Sequence, residues 1–66
     1  MSDLQPYQQR VIDEKEALDT KISALNTFLL GVVFSTLPKT EQDRLTLQRQ
    51  VMQVYSTILA QRISAF

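Results

Sequence analysis

Cysteine, histidine and tryptophan are absent from this 66-residue chain, while glycine occurs once and proline twice. Without cysteine there can be no disulfide, and without cysteine or histidine the usual zinc ligands are missing, so neither staple that supports small chains is available. The same two gaps remove the commonest general base and the softest nucleophile. A single glycine leaves no room for a phosphate-cradling glycine-rich loop, and no serine sits in a nucleophile elbow. Seven basic and seven acidic side chains give a formal net charge of zero. No basic footprint for duplex nucleic acid is therefore visible. The longest nearly apolar run, Ala24 to Phe34, is interrupted by Asn26, Thr27 and Gly31. It falls short of the roughly 20 apolar residues that a bilayer span takes. Met1-Ser2-Asp3-Leu4 carries neither the basic start nor the apolar stretch of a signal peptide. These absences lead to a soluble cytoplasmic binding protein, not an enzyme, with no cofactor, no metal, no membrane and no duplex nucleic acid as partner.

What remains is punctuation and periodicity. Pro6, Gly31 and Pro38 divide the chain, and apolar residues recur at Leu4, Val11, Leu18 and Leu25, seven apart, flanked by Ile22 and Leu29. That spacing predicts a helix over about 5–30, N-capped by Ser2 or Asp3, with Pro6 tolerated in its opening turn. Asp13, Glu14 and Glu16 precede Lys21, the order the helix dipole favours, and Gly31 is expected to supply a left-handed residue past the end. Residues 31–37 read as a short apolar hinge. Pro38, followed by Glu41 and Asp43, opens a second helix over about 38–65, in which Leu45, Met52, Leu59 and Phe66 repeat every seven residues. Val51 and Ile58 lie beside that stripe, and Leu47 and Val54 lie further round.

The expected fold is all-α: one helical domain over 1–66, a hairpin of two long helices. A hairpin covers only one face of each helix. The surplus, led by Leu47, Val54, Phe34 and the Val32–Val33 pair, predicts assembly into a compact homo-oligomer, the one support left to a chain this short.

Two groups of side chains could bind a ligand. Tyr7, Glu14, Lys21 and Phe28 are seven apart and form one line at the border of the buried face. There an aromatic ring can stack a base and a lysine can neutralise a phosphate if another subunit closes the pocket. Alternatively, Tyr7 covers the core edge and Lys21 pairs with Glu14 or Glu16. In the second helix, Leu45 to Phe66 holds Arg49 and Arg62 and no carboxylate. Arg62 lies among Ile58, Leu59 and Ile63, where a guanidinium calls for an anion or for the carbonyls of the helix end. Asp13 and Glu16 share a face, but such a pair is ordinary solvated surface. A helix-turn-helix regulator is disfavoured, because the second helix is too apolar to read a groove.

The stretch Tyr7-Gln8-Gln9-Arg10-Val11-Ile12-Asp13-Glu14-Lys15, then Leu18-Asp19 with Lys21, Leu25 and Phe28, resembles the opening helix of a family of small phage proteins. Val51-Met52-Gln53-Val54-Tyr55-Ser56-Thr57-Ile58-Leu59 with Arg62-Ile63 and Ala65-Phe66 resembles the end of the same proteins. The family is the phage anti-CBASS cyclic-nucleotide sponges. The resemblance implies a homo-oligomer, characteristically a hexamer, acting in the host cytoplasm. It would hold cyclic di- and trinucleotide messengers, such as cyclic GMP-AMP and cyclic tri-adenylate, intact between subunits and so keep the defence effector inactive. It further implies that Tyr7 stacks on a base of the dinucleotide, Lys21 meets its phosphates and Arg10 assists, while Arg62 serves the trinucleotide. The hinge Gly31-Val32-Val33-Phe34 is more apolar than the family pattern. The competing expectation is a helical adaptor that binds another protein through its surplus apolar face.

Overall fold

A proline disfavours helical geometry in the residue before it, so Pro6 sets where the first helix can begin. In the computed structural model, which describes residues 3–66, helix α1 spans Pro6–Leu29 and Gln5 is its N-cap. Pro6 occupies the opening position, where its missing N–H leaves nothing unpaired. The Gln5 backbone N–H donates to Gln8 Oε1 at 2.8 Å, and the Gln5 carbonyl accepts from the N–H groups of Gln8 and Gln9. Asp3 thus lies outside the helix and does not cap it; Ser2, the other expected cap, lies outside the described residues. The first turn of α1 holds no acid and its last turn no base, because Asp13, Glu14 and Glu16 sit further in. Their order along the helix therefore contributes little dipole stabilisation, which fades beyond the terminal turns.

Gly31 does not adopt the left-handed conformation that its position invited. Its φ of −87° and ψ of 168° are extended, and it is the N-cap of a second helix, α2, over Val32–Thr36. The segment read as a turn is thus one short helix. Its β-branched residues are held by the Ser35 and Thr36 hydroxyls, which donate to the carbonyls of Val32 and Val33 at 2.7 and 2.6 Å. Phe34 packs edge-on to Phe28, with ring centroids 6.4 Å apart, so it belongs to its own chain's packing and not to the free surface. Helix α3 spans Lys39–Ser64 with Pro38 as its N-cap, so it begins one residue after the expected first helical position, Pro38 itself. Glu41 lies in its first turn. The Gln42 amide donates to the Leu37 carbonyl at 2.9 Å and locks the entry to α3.

Helices α1 and α3 pack along their lengths as a hairpin, and no strand occurs among the described residues. The core is thin. Val11, Leu18 and Leu59 are buried, with Ile22, Met52 and Ile63 packed on them. Leu4 and Phe66, at the two outer ends of the heptad stripes, are exposed by more than a third. One polar clasp crosses the seam. The Ser56 hydroxyl donates to Asp19 at 2.6 Å, and Lys15 pairs with the same carboxylate at 2.6 Å.

The product is a rod of 50 × 15 × 14 Å with a radius of gyration of 15.3 Å. A compact chain of this length would have a radius near 11 Å. Its accessible surface is 5002 Å², about 700 Å² more than the size scaling of monomeric globular proteins gives. None of its helices is long and apolar enough to cross a membrane among the described residues.

Candidate functional site

The Asp19–Ser56 hydrogen bond fixes the register, because antiparallel helices pair residues whose numbers sum to a constant. Residue 20 is then level with residue 55, and residue 26 with residue 49. The clasp marks one flank of the hairpin. Asn26 and Arg49 lie level with each other by the same register, and Asn26 Oδ1 and Arg49 Nε are both screened from solvent without a hydrogen-bond partner. On this flank the titration of Asp19 is displaced. The hydrogen bonds from Lys15 and then Ser56 hold its carboxyl below the ordinary carboxylate range.

The opposite flank is fixed by aromatics. Tyr7 meets Phe66 edge-on, with centroids 6.3 Å apart. Tyr7 begins the line Tyr7–Glu14–Lys21–Phe28, and Phe66 lies one turn beyond Arg62, which ends the neighbouring line Gln48–Tyr55–Arg62. Lines of period seven run nearly along a helix. The two lines therefore border one side of the hairpin, which presents Tyr7, Lys21, Tyr55 and Arg62 together.

The candidate residues stand on that side as follows. Tyr7, Arg10, Lys21 and Arg62 are all exposed. Tyr7, Arg10 and Arg62 cluster at the open end of the hairpin, whereas Lys21 lies 14 residues from Tyr7, about 21 Å along the axis. One chain thus cannot bring its Tyr7 and its Lys21 to the same small ligand. Arg62 is not embedded among its apolar neighbours. It projects to solvent from the last turn of α3, where the helix dipole favours a cation. The ion pairs among the described residues are Lys15–Asp19, Lys39–Asp43 and Arg44–Glu41. Lys21 takes no part in them, so the pairing with Glu14 or Glu16 weighed from sequence does not form, and Arg10, Arg49 and Arg62 are also without a carboxylate.

Around the outer edge of this side runs a shallow apolar groove of about 400 Å³, lined by Leu47, Gln50, Val51, Val54, Tyr55 and Ile58. Leu47, Val51 and Val54 remain about 60% exposed and Ile58 48%. The expected surplus of Leu47 and Val54 is thus real, and Val51 and Ile58 extend it. Tyr55 was not singled out from sequence as a site residue. Its signal was its place seven before Arg62, but it became interpretable only once the register set it beside the Lys21 line. No group of three or more acidic side chains suited to a metal ion occurs among the described residues.

A two-helix hairpin with a thin core, one clasped flank and one flank of unpaired cations, open rings and bare apolar surface defines a helical binding module. The chain belongs to the Sequestin family, whose profile matches residues 5–65. This is the sequestering family to which the resemblance of the two terminal segments led. An uncharacterized 7.5 kDa protein from the denB–rIIB intergenic region of Enterobacteria phage T4 is 40% identical over 60 residues, covering 91% of this chain and 94% of the relative. No solved structure matches.

Proposed function

We propose that this protein is a phage anti-defence sponge. It binds cyclic di- and trinucleotide messengers, cyclic GMP-AMP and cyclic tri-adenylate among them, holds them uncleaved in the host cytoplasm and so keeps CBASS effectors inactive. The observation that carries the proposal is the family match over residues 5–65, on a chain whose one open side carries rings and unpaired cations.

Sequestration needs affinity and no bond-breaking, and that agrees with a chain lacking cysteine and histidine. The separation of Tyr7 from Lys21 supports a pocket shared between copies: one chain supplies the ring near its open end, another the ammonium. A symmetric oligomer repeats each contact, matching the two phosphates of a cyclic dinucleotide or the three of a trinucleotide. Arg62, at the open end, takes the trinucleotide phosphates, and Arg10 stands one turn from Tyr7 to assist. The uncovered surface supports assembly too. About 700 Å² of excess is close to the roughly 800 Å² that each partner contributes to a standard interface. We assign the assembly as a homohexamer.

The test is a thermal melt with and without a panel of cyclic di- and trinucleotides, combined with light scattering. A ligand bound only by the folded assembly stabilises it by about 2.7 kcal/mol at a hundredfold excess over Kd. Expected are an upward shift, recovery of the nucleotide intact after heating, and a mass near 46 kDa, about six times the 7.6 kDa chain. No shift with any cyclic nucleotide would leave the groove of Leu47, Val51, Val54 and Ile58 as a docking surface for another protein, the adaptor reading.

A further inference from the structure

The chain has five aromatic rings. Four of them pair, Tyr7 with Phe66 and Phe28 with Phe34, and Tyr55 stands without an aromatic partner. Its side chain is 40% exposed, a large share for a ring in the middle of a long helix. Its hydroxyl makes no hydrogen bond among the described residues, so its polar tip is not used by the hairpin itself, and part of the ring stays open to solvent. The register of the Asp19–Ser56 bond sets Tyr55 level with Thr20, one residue from Lys21, or about 1.5 Å along the axis. The period-seven lines place both residues on the same flank. Lys21 has no carboxylate partner among the described residues, although it lies on the same line as Glu14. An unpaired ring and an unpaired ammonium thus face solvent at one level of one chain.

We infer that Tyr55 is a ligand-stacking residue: its ring carries a base of a cyclic dinucleotide while Lys21 of the same chain holds the adjoining phosphate. The inference rests on the proposed sequestering function and adds to it a residue which that function did not assign. It also resolves the geometry. Tyr7 is some 21 Å from Lys21 along its own helix, so its ring reaches this base only from a neighbouring copy. Tyr55 needs no such transfer. The base lies between the two rings, one from each chain. Tyr55 also borders the apolar groove, which gives the far edge of the base a dry wall. A role confined to packing within its own hairpin would leave the ring covered, and a cation–π role alone would hold the Lys21 ammonium on the ring face and away from a phosphate.

Two measurements on the full chain test this, with cyclic GMP-AMP as the probe. The first is calorimetric titration of the wild type, Tyr55→Phe and Tyr55→Leu, each checked by circular dichroism and light scattering. Base–aromatic stacking is worth about 1–3 kcal/mol. Tyr55→Leu is therefore expected to raise Kd roughly 5- to 150-fold, and Tyr55→Phe to stay within about threefold. The second uses wild-type sequence labelled with fluorotyrosine, whose two tyrosines give two ¹⁹F resonances assigned through Tyr55→Phe. The Tyr55 resonance is expected to shift saturably with the probe. This reading stays decisive even if Tyr55→Leu fails to fold. A wild type that binds the probe with its Tyr55 resonance unmoved, or a folded Tyr55→Leu with wild-type affinity, overturns the Tyr55 assignment and leaves sequestration standing. A wild type that binds neither a cyclic dinucleotide nor a cyclic trinucleotide overturns the proposed function itself.

Discussion

Among the described residues Leu59 is the single side chain with no exposure at all, and only Val11 and Leu18 join it as buried residues. In so thin a core each of the three carries a large share of the apolar stabilisation. Truncating a buried leucine removes its transfer free energy and leaves a cavity that packed neighbours fill only in part. Leu59→Ala is expected to lose about 2–5 kcal/mol, read as a lowered denaturation midpoint in urea. Asp19 makes a different prediction. Lys15 and Ser56 both bond its charged form, which depresses its folded-state pKa below the unfolded value. As pH falls the unfolded chain takes up that proton first. The contribution of Asp19 is therefore complete above the ordinary carboxylate pKa of about 3.9 and disappears as pH falls through the depressed value. Asp19→Asn should flatten the acid limb of a melting-temperature profile between pH 6 and pH 2 and leave its neutral plateau lower. A parallel downward displacement with the acid limb unchanged would show that Asp19 acts by packing alone.

Among the elements, the two long helices were readable from their heptads, because a period near seven over three or more turns has one cheap solution in water. Val11, Leu18, Met52 and Leu59 were placed on the inner face by that spacing alone. The ends were harder. Capping depends on a few local hydrogen bonds, and Gln5 takes the position because Pro6 blocks an earlier start, against the better intrinsic capping of Ser2 or Asp3. The helix α2 was hidden for another reason: Val32-Val33-Phe34 has poor local preference for a helix, and its Ser35 and Thr36 bonds appear only once the turn is wound. As for the site, Tyr7, Lys21 and Arg62 could be picked out as residues, but not their relation. That Tyr7 abuts Phe66, and that Tyr55 lies level with Lys21, follows from inter-helix register, which no single-helix pattern contains. Gly31 supplies the test at this scale. With extended φ it has no need of glycine, but an added Cβ would meet the Phe28 carbonyl oxygen at 3.3 Å, and that oxygen already accepts the Gly31 N–H. The entropy gained in the unfolded chain, about 0.4–1 kcal/mol, then works against a tight contact. Gly31→Ala should change stability by less than about 1 kcal/mol by urea denaturation. A larger loss would indicate that the Phe28 carbonyl cannot give way to the added Cβ.

As a whole molecule the rod has more surface than its core can justify, and its two flanks divide the consequences. The clasped flank of Lys15, Asp19 and Ser56 holds α1 against α3 within a chain. The groove of Leu47, Val51, Val54 and Ile58 does nothing for that chain, because these side chains already face water. A charge placed there therefore separates assembly from folding. Val54→Asp adds a carboxylate to a stretch of α3 that has none from Leu45 onward and exposes no new core. In an isolated hairpin such a surface change is worth within about 0.5 kcal/mol. At the centre of a subunit interface, the same carboxylate is desolvated without a partner, a cost of several kcal/mol per copy. Light scattering at micromolar concentration should then show Val54→Asp at the mass of smaller species while its far-ultraviolet dichroism stays helical, and the wild-type melt should rise with protein concentration. Loss of cyclic-nucleotide binding in the dissociated variant, with Tyr7, Lys21, Tyr55 and Arg62 all intact, would follow from pockets that two copies must complete. Retained binding by a monomeric Val54→Asp would put the whole pocket within one chain, and the 21 Å between Tyr7 and Lys21 would then rule one of them out of it.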